Sequence, residues 1–431
     1  MSSPEIVPEI VPEVAIVGAG LAGLGAATAL RQAGIPAIVL EAANRIGGRA
    51  HTLTPPELGG AWFDAGAVWF HNAETNPLVP LAEAAGARLL RSDALRQERT
   101  VIDGRFASAA ELADYAAAWE RFAEAAAPLL APDRPDPPLA AVAASIQDDP
   151  WALSVEAWEG PVICATDAAA FSLRDWHNNQ LTGSNLVPEG GIGAFVAGTL
   201  GRGLDIRLGC PVRAIDWQAP CGVTLHTDAG SLRARAAIVT VSTGVLAAGA
   251  IRFSPELPAT TQGAIAELPM GLAMKVVLRA AGPGRLGLAG HTSLDTQARR
   301  SGAPYMVFQC WPFGRDWVQG WIGGSPARAL AAAGEAAAVA FAREELRAML
   351  GAEAAALLSG PSLVTRWDAD PLVRGAYAYA RPGAAGARTR LAEPLDGGRL
   401  VFAGEACHPT LGGTLAGAWL SGQQAARAVA A

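Results

Sequence analysis

The chain is poor in several features that would each point to a class of protein. Its 431 residues include five cysteines, six histidines and four tyrosines, and only 17% are charged. The cysteines, Cys164, Cys210, Cys221, Cys310 and Cys407, show no C-x-x-C spacing. An odd, scattered set excludes a disulfide framework and fits reduced thiols in a cytoplasmic enzyme. The histidines are equally dispersed and carry no metal-site spacing. A net charge of −7 without basic clusters argues against nucleic acid as a partner. No apolar run is long enough to span a bilayer, and no membrane partner is expected. Met1 to Glu13 repeats Pro-Glu-Ile-Val without the basic start or apolar core of a signal peptide, and reads as a loose leader. The length suffices for two or more domains.

Glycine is what the chain has in quantity, 49 in all, and the first cluster is ordered. Val14-Ala15-Ile16-Val17 leads into Gly18-Ala19-Gly20-Leu21-Ala22-Gly23 and a helix-forming run to Gln32. A second apolar strand, Ile38-Val39-Leu40, ends at Glu41. This is a β-α-β unit with a dinucleotide-binding turn. Gly18 permits the tight turn, Gly20 lets backbone approach a pyrophosphate, and Gly23 lets the helix pack closely on the strand. The helix N-terminus offers free N–H groups to the phosphates. Glu41 lies 21 residues after Gly20, where a carboxylate accepts hydrogen bonds from ribose hydroxyls. Arg45-Ile46-Gly47-Gly48-Arg49 follows directly. A nicotinamide-binding unit has no need of this segment. A glycine pair between two arginines suits a longer, doubly charged ligand.

Further along, Gly59 to His71 alternates small residues with large aromatics, as where backbone passes a flat ligand. Ala109 to Leu130 carries Leu112, Tyr115, Trp119 and Phe122 at helical steps, and Pro128 to Pro138 reads as a loop. Trp151 and Trp158 are expected in a helical core. Ile206 to Val212 and Val223 to His226 alternate as strands, and Ala237 to Ser242 is a continuous apolar one. Lys275 sits in a strand between Met274 and Val276 and so faces away from both. Tyr305 to Trp311 and Trp317 to Gly323 read as further strands, and Glu335 to Leu350 as a helix. Leu400 to Glu405 is expected to be a strand ending on Gly404-Glu405, and Gly412 to Ala418 opens a last helix.

The Arg45–Arg49 run resembles the second signature of the flavin amine oxidase superfamily. Trp367, Gly375-Ala376-Tyr377 and Gly404-Glu405 extend the resemblance over nearly the whole chain. It implies FAD rather than NAD, and an α/β fold with a Rossmann-like FAD-binding domain from residues 14–75, 186–262 and 360–431. A discontinuous α+β substrate-binding domain would come from residues 76–185 and 263–359. The nucleotide site implied is Gly18, Gly20, Gly23, Glu41, Arg45, Gly48 and Arg49, with Arg49 at the diphosphate region. The backbone at Val212 would bind the adenine, Glu405 would lie near the ribityl and diphosphate, and the backbone of Thr414 and Leu415 would meet the pyrimidine edge. There the helix N-terminus suits the negative charge of reduced flavin.

The same resemblance implies a catalytic set of Lys275, His71, Tyr377, Trp367 and Thr414. His71 would project into the substrate cavity, Trp367 and Tyr377 would line the flavin pocket, and Lys275 would hold a water at flavin N5. The alternative for His71 is a satisfied core histidine, and for Lys275 a chain that snorkels to water. Covalently flavinylated members carry a cysteine where this chain has Ala376, so FAD is expected to be non-covalent. Thr414 stands at one position of the two-tyrosine cage of monoamine oxidases, which turns the expectation toward polyamine-oxidase-like or other amines. The implied partners are a small amine and dioxygen: hydride passes from a neutral amine to N5, the imine hydrolyses, and oxygen becomes peroxide. Oligomeric state is open. Rival readings also stay open: an L-amino-acid oxidase with Arg174, Arg366 or Arg374 on the substrate carboxylate, a carotenoid-desaturase-like enzyme, or a non-catalytic FAD-binding partner protein.

Overall fold

In the computed structural model the described residues are 12–219 and 222–430. Most of the leader and Cys221 lie outside them. The strand Val14–Val17 runs into Gly18, whose φ of +104° is closed to ordinary side chains. A Cβ at Gly23 would sit 1.9 Å from Gly18 O, so the helix Leu21–Gln32 rests directly on the turn. At Gly20 the equivalent space is empty to 4 Å.

Val14–Val17 is the middle of a five-stranded parallel sheet. Its order is Leu400–Phe402, Ala236–Val239, Val14–Val17, Ala37–Leu40 and Ile206–Arg207. The three strands Leu400–Phe402, Ala236–Val239 and Val14–Val17 are buried at every position, as a parallel sheet covered on both faces requires. The last strand stops at Phe402, short of the expected Glu405. Glu405 instead opens a single 3-10 turn, Glu405–Cys407, because its carboxylate is drawn into the bonds described below. The alternation at 206–212 also yields only Ile206–Arg207 before Val212–Ala219 begins, with Gly209 turning the chain at φ +62°.

A second, seven-stranded sheet runs Ser362–Val364, Ala273–Arg279, Trp317–Gly323, Val307–Cys310, Thr292–Thr296, Gln97–Ile102 and Arg105–Phe106. Ser362–Val364 pairs antiparallel with Ala273–Arg279 at the edge of this sheet. Met274, Val276 and Leu278 pack into the core beneath the helix Glu335–Leu350. Lys275 alternates to the opposite face, as a strand's period of two dictates. A helical piece lies between these parts in sequence. Its helix Ala109–Ala126 starts at a Ser108/Glu111 capping box and continues as a 3-10 turn to Leu130, where a loop was expected from Pro128. No helix among the described residues is long and apolar enough to cross a membrane.

Candidate active site

One cavity of about 740 Å³ is lined from both sheets and from the helical piece. Gly18, Gly20, Glu41, Arg45, Gly48, Arg49, Val212, Glu405, Thr414 and Leu415 line it from the parallel-sheet side. His71, Lys275, Trp367 and Tyr377 also line it, whereas Gly23 is packed behind the turn. Gly47 N donates to Ala19 O at 2.8 Å, which lays the second glycine run against the first. The carboxylate of Glu41 spans the same corner, accepting from Ala19 N at 2.6 Å and Ala43 N at 2.8 Å. Open space at Gly20, a helix N-terminus, a corner carboxylate and the Arg45 and Arg49 guanidiniums together fit an elongated, doubly charged dinucleotide.

Lys275 is the only lysine of the chain. It does not snorkel: the residue is 3% exposed, and Nζ donates to Asp64 O and Gly66 O, each at 2.6 Å. Nζ also lies 5.0 Å from the Trp321 ring and 5.5 Å from Phe63. Burial lowers its pKa to about 7, against the pull of Asp64. At neutral pH the amine is therefore poised between charged and neutral. His71 Nδ1 lies 2.6 Å from Asn185 Oδ1. The amide oxygen only accepts, so with that amide orientation the ring proton is on Nδ1 and the Nε2 lone pair is left free. Burial also lowers the pKa of His71, which keeps the ring neutral. Trp69 stands 5.8 Å from His71 and 6.2 Å from Trp321, so the wall around the lysine and histidine is aromatic. Trp367 is fixed by its Nε1 bond to Ala65 O at 3.0 Å.

Two expected site residues and one expected core residue make contacts that the sequence does not show. Glu405 lines the cavity and is held by protein groups: it accepts from Arg49 Nη1 at 2.8 Å, Ala378 N at 3.0 Å and Gly413 N at 3.0 Å. Arg49 is correspondingly tied, to Glu405 and to Ala376 O at 2.7 Å. Thr414 lines the cavity and also caps a helix. Its Oγ1 donates to Leu411 O and accepts from Gly417 N at 2.9 Å, capping the helix Leu415–Ala430 whose first amides otherwise lack partners. Trp158 belongs to the cavity wall rather than only to a core, its Nε1 bonded to Asp295 at 3.0 Å.

Tyr379 also lines the cavity, edge-on to Phe171 at 6.3 Å. Its signal was available: it stands two residues after Tyr377, on the same face of an extended segment. Of the arginines weighed for a substrate carboxylate, Arg174 is bound to the carbonyls of Leu130, Ala131 and Arg134, and Arg366 to Asp368. Neither lines the cavity; Arg374 does.

A glycine-rich nucleotide corner joined to an aromatic, lysine-bearing lobe defines a flavin-dependent oxidoreductase. Residues 21–430 match the family model of flavin containing amine oxidoreductases, and the chain belongs to that family. It is 30% identical over 457 residues to polyamine oxidase 4 of Oryza sativa, covering 96% of this chain and 88% of the relative. It is 26% identical to human lysine-specific histone demethylase 2, over 97% of this chain and 53% of that protein. Among solved structures, putrescine oxidase bound to putrescine superposes with a TM-score of 0.76 at 22% identity, covering 97% and 99% of the two chains, and shows the same fold. The protein is an FAD-dependent enzyme that oxidises amines and produces hydrogen peroxide, with FAD held non-covalently.

Proposed function

We propose that the amine is bound in the aromatic lobe, with Lys275, His71, Tyr377 and Trp367 as its working side chains. The observation that carries this is the continuity of one cavity from the Gly18–Gly20 turn to Lys275. The two electrons of amine oxidation are taken by bound FAD and passed to dioxygen. The chain's own residues do the rest. Gly18, Gly20, Glu41, Arg45, Gly48 and Val212 hold the nucleotide end, and Arg49, Glu405 and the Thr414–Leu415 backbone shape the turn beside it. Aromatic walls exclude water, which favours the neutral, reactive amine over its ammonium form. His71 Nε2 accepts an N–H of the substrate, and Lys275 Nζ gives or holds a proton beside the reacting centre. Trp158, Phe171, Phe308 and Trp321 of the aromatic wall come from the second sheet and helical piece, whereas Trp69, His71, Trp367, Tyr377 and Tyr379 come from segments assigned to the FAD-binding domain, so the lobe draws on both proposed domains. A cytoplasmic setting accords with the unpaired Cys164, Cys210, Cys310 and Cys407.

For the substrate's body, the charge inventory of the wall is informative. Four carboxylates line the cavity: Glu41 and Glu405 as above, Asp175 paired with Arg388, and Asp370, which accepts from Leu372 N through Oδ1 and has no cation bonded to it among the described residues. A polyamine, the substrate named for the rice relative, carries further ammonium groups, for which Asp370 offers a negative charge and Gln309 and Gln319 offer acceptors in the same cavity. The family match and the polyamine oxidase relative together favour a polyamine-like substrate over an aromatic monoamine. Anaerobic bleaching of the flavin tests this with benzylamine, phenethylamine, putrescine and spermidine. Faster bleaching by putrescine or spermidine is expected; faster bleaching by the two aromatic monoamines overturns the substrate choice, and no bleaching by any amine overturns the lobe as an amine site.

A further inference from the structure

Tyr377 and Tyr379 stand on one extended segment, and one edge of that segment is paired with backbone. Gly271 N donates to Tyr377 O, and Tyr379 N donates to Pro269 O. The other edge meets no strand among the described residues. Four successive backbone groups there are taken by two ion pairs. Arg49 donates to Ala376 O at 2.7 Å, and its partner Glu405 accepts from Ala378 N at 3.0 Å. Arg388 donates to Ala378 O at 3.0 Å, and its partner Asp175 accepts from Ala380 N at 3.0 Å. Arginine, carboxylate, arginine, carboxylate thus meets the acceptor, donor, acceptor, donor order of the edge.

The second pair is shut in, with side chains 3% and 1% exposed and bonds of 2.7 and 2.9 Å. Asp175 comes from the helix Leu173–Asn178 and Arg388 from the helix Ala387–Ala392. The guanidinium also lies against Gly412, where a Cβ would be 2.6 Å from Arg388 Cζ, and Asn179 accepts from Gly412 N at 2.6 Å. Apolar residues of like volume often stabilise a fold as well as a buried ion pair does. They cannot hold Ala378 O and Ala380 N.

We propose that Arg388 and Asp175 are positioning residues of the aromatic lobe: they fix the backbone that aims Tyr377 and Tyr379, and so set amine affinity. This rests on the lobe being where amines bind. The test is the double variant Arg388→Met/Asp175→Leu, which leaves no buried charge behind. Phenyltrimethylammonium, which has no N–H and no lone pair to support oxidation, is titrated by its perturbation of the flavin spectrum. About tenfold weaker binding and a KM raised about tenfold are expected, with kcat within about twofold and FAD content unchanged. Unaltered probe affinity and KM overturn the proposal. Should the double variant not fold, Arg388→Lys decides: it keeps the charge but not the fork, and about threefold losses in both are expected. Wild-type affinity and KM in that variant overturn it equally. Because the probe is read without turnover, failure of the amine reading would show separately, as no oxidation of any amine by the unaltered protein.

Discussion

In the wall built by the seven-stranded sheet, Lys275 has two carbonyls and two aromatic faces around Nζ, and no carboxylate bonded to it. In the wall built by the helical piece and the C-terminal segment, Arg388 is equally buried but locked to Asp175 through two hydrogen bonds. Arginine cannot lose its proton in a protein, whereas a buried lysine does so readily. Of the lysine and arginine side chains all but one are arginine, and the exception lines the cavity where we place the amine. One cation is locked in an ion pair; the other feels the Asp64 carboxylate without a bond to it, and burial lowers its pKa to about 7.

The largest effect expected from this contrast is on stability. Arg388→Met leaves Asp175 as an unpaired buried carboxylate and should destabilise the fold by about 3–5 kcal/mol. Lys275→Met leaves two carbonyls short of a donor but removes a buried amine, so its melting temperature at pH 7 should stay within a few degrees of wild type. Equal losses in the two variants would erase the comparison. The pH dependence sharpens it. The folded pKa of Lys275 is lowered from 10.5 to about 7, so between those values the unfolded chain holds a proton that the folded one has released. Stability from this group is present above 10.5 and is lost as pH falls toward 7. Relative to Lys275→Met, wild type should gain stability as pH rises through that window, which chemical denaturation at pH 7, 8.5 and 10 would reveal.

The next effect is kinetic. Lys275→Met should slow flavin reduction by amine or reoxidation by oxygen about tenfold or more, with FAD content kept. The remaining rate should also lose any inflection near pH 7. Stopped-flow measurement of the two half-reactions checks both points. Two wild-type rates would mean that Lys275 has no part in the chemistry.

What could be read from sequence divides along similar lines. The Gly18–Gly23 turn and the Arg45–Arg49 run were legible because they work through backbone conformation, set locally by glycine. Trp317–Gly323 and Glu335–Leu350 appear with the expected bounds because their hydrophobic periods are unbroken. Lys275 was legible from its strand position, and its being the sole lysine strengthens the signal. The partners of Glu405 and Thr414 were not legible, because which amides a side chain faces is not encoded in spacing. Arg388 and Asp175 lie 213 residues apart in unrelated patterns, so only the folded chain brings them together.

The smallest effects belong to His71, whose ring has a partner on one nitrogen only. Asn185 accepts from Nδ1 and is itself fixed by its backbone N–H to Asp93 at 3.0 Å. Asp93 thereby fixes the backbone from which the side-chain amide of Asn185 reaches the ring, and that side-chain amide holds the ring with the Nε2 lone pair available. His71→Ala removes that acceptor and should lower kcat/KM about tenfold, the size of one ordinary hydrogen bond, without changing the flavin spectrum. Asn185→Leu leaves the ring in place but lets the proton move between its nitrogens. Only a fraction of molecules then present the acceptor, and about threefold is expected. A double variant separates the two roles, since Asn185→Leu should add nothing once the ring is gone. If Asn185→Leu still lowers kcat/KM in the His71→Ala background, the asparagine acts on the wall independently. If neither single variant changes kcat/KM, His71 is packing, and the aromatic wall around Lys275 binds the amine without a hydrogen bond from the histidine.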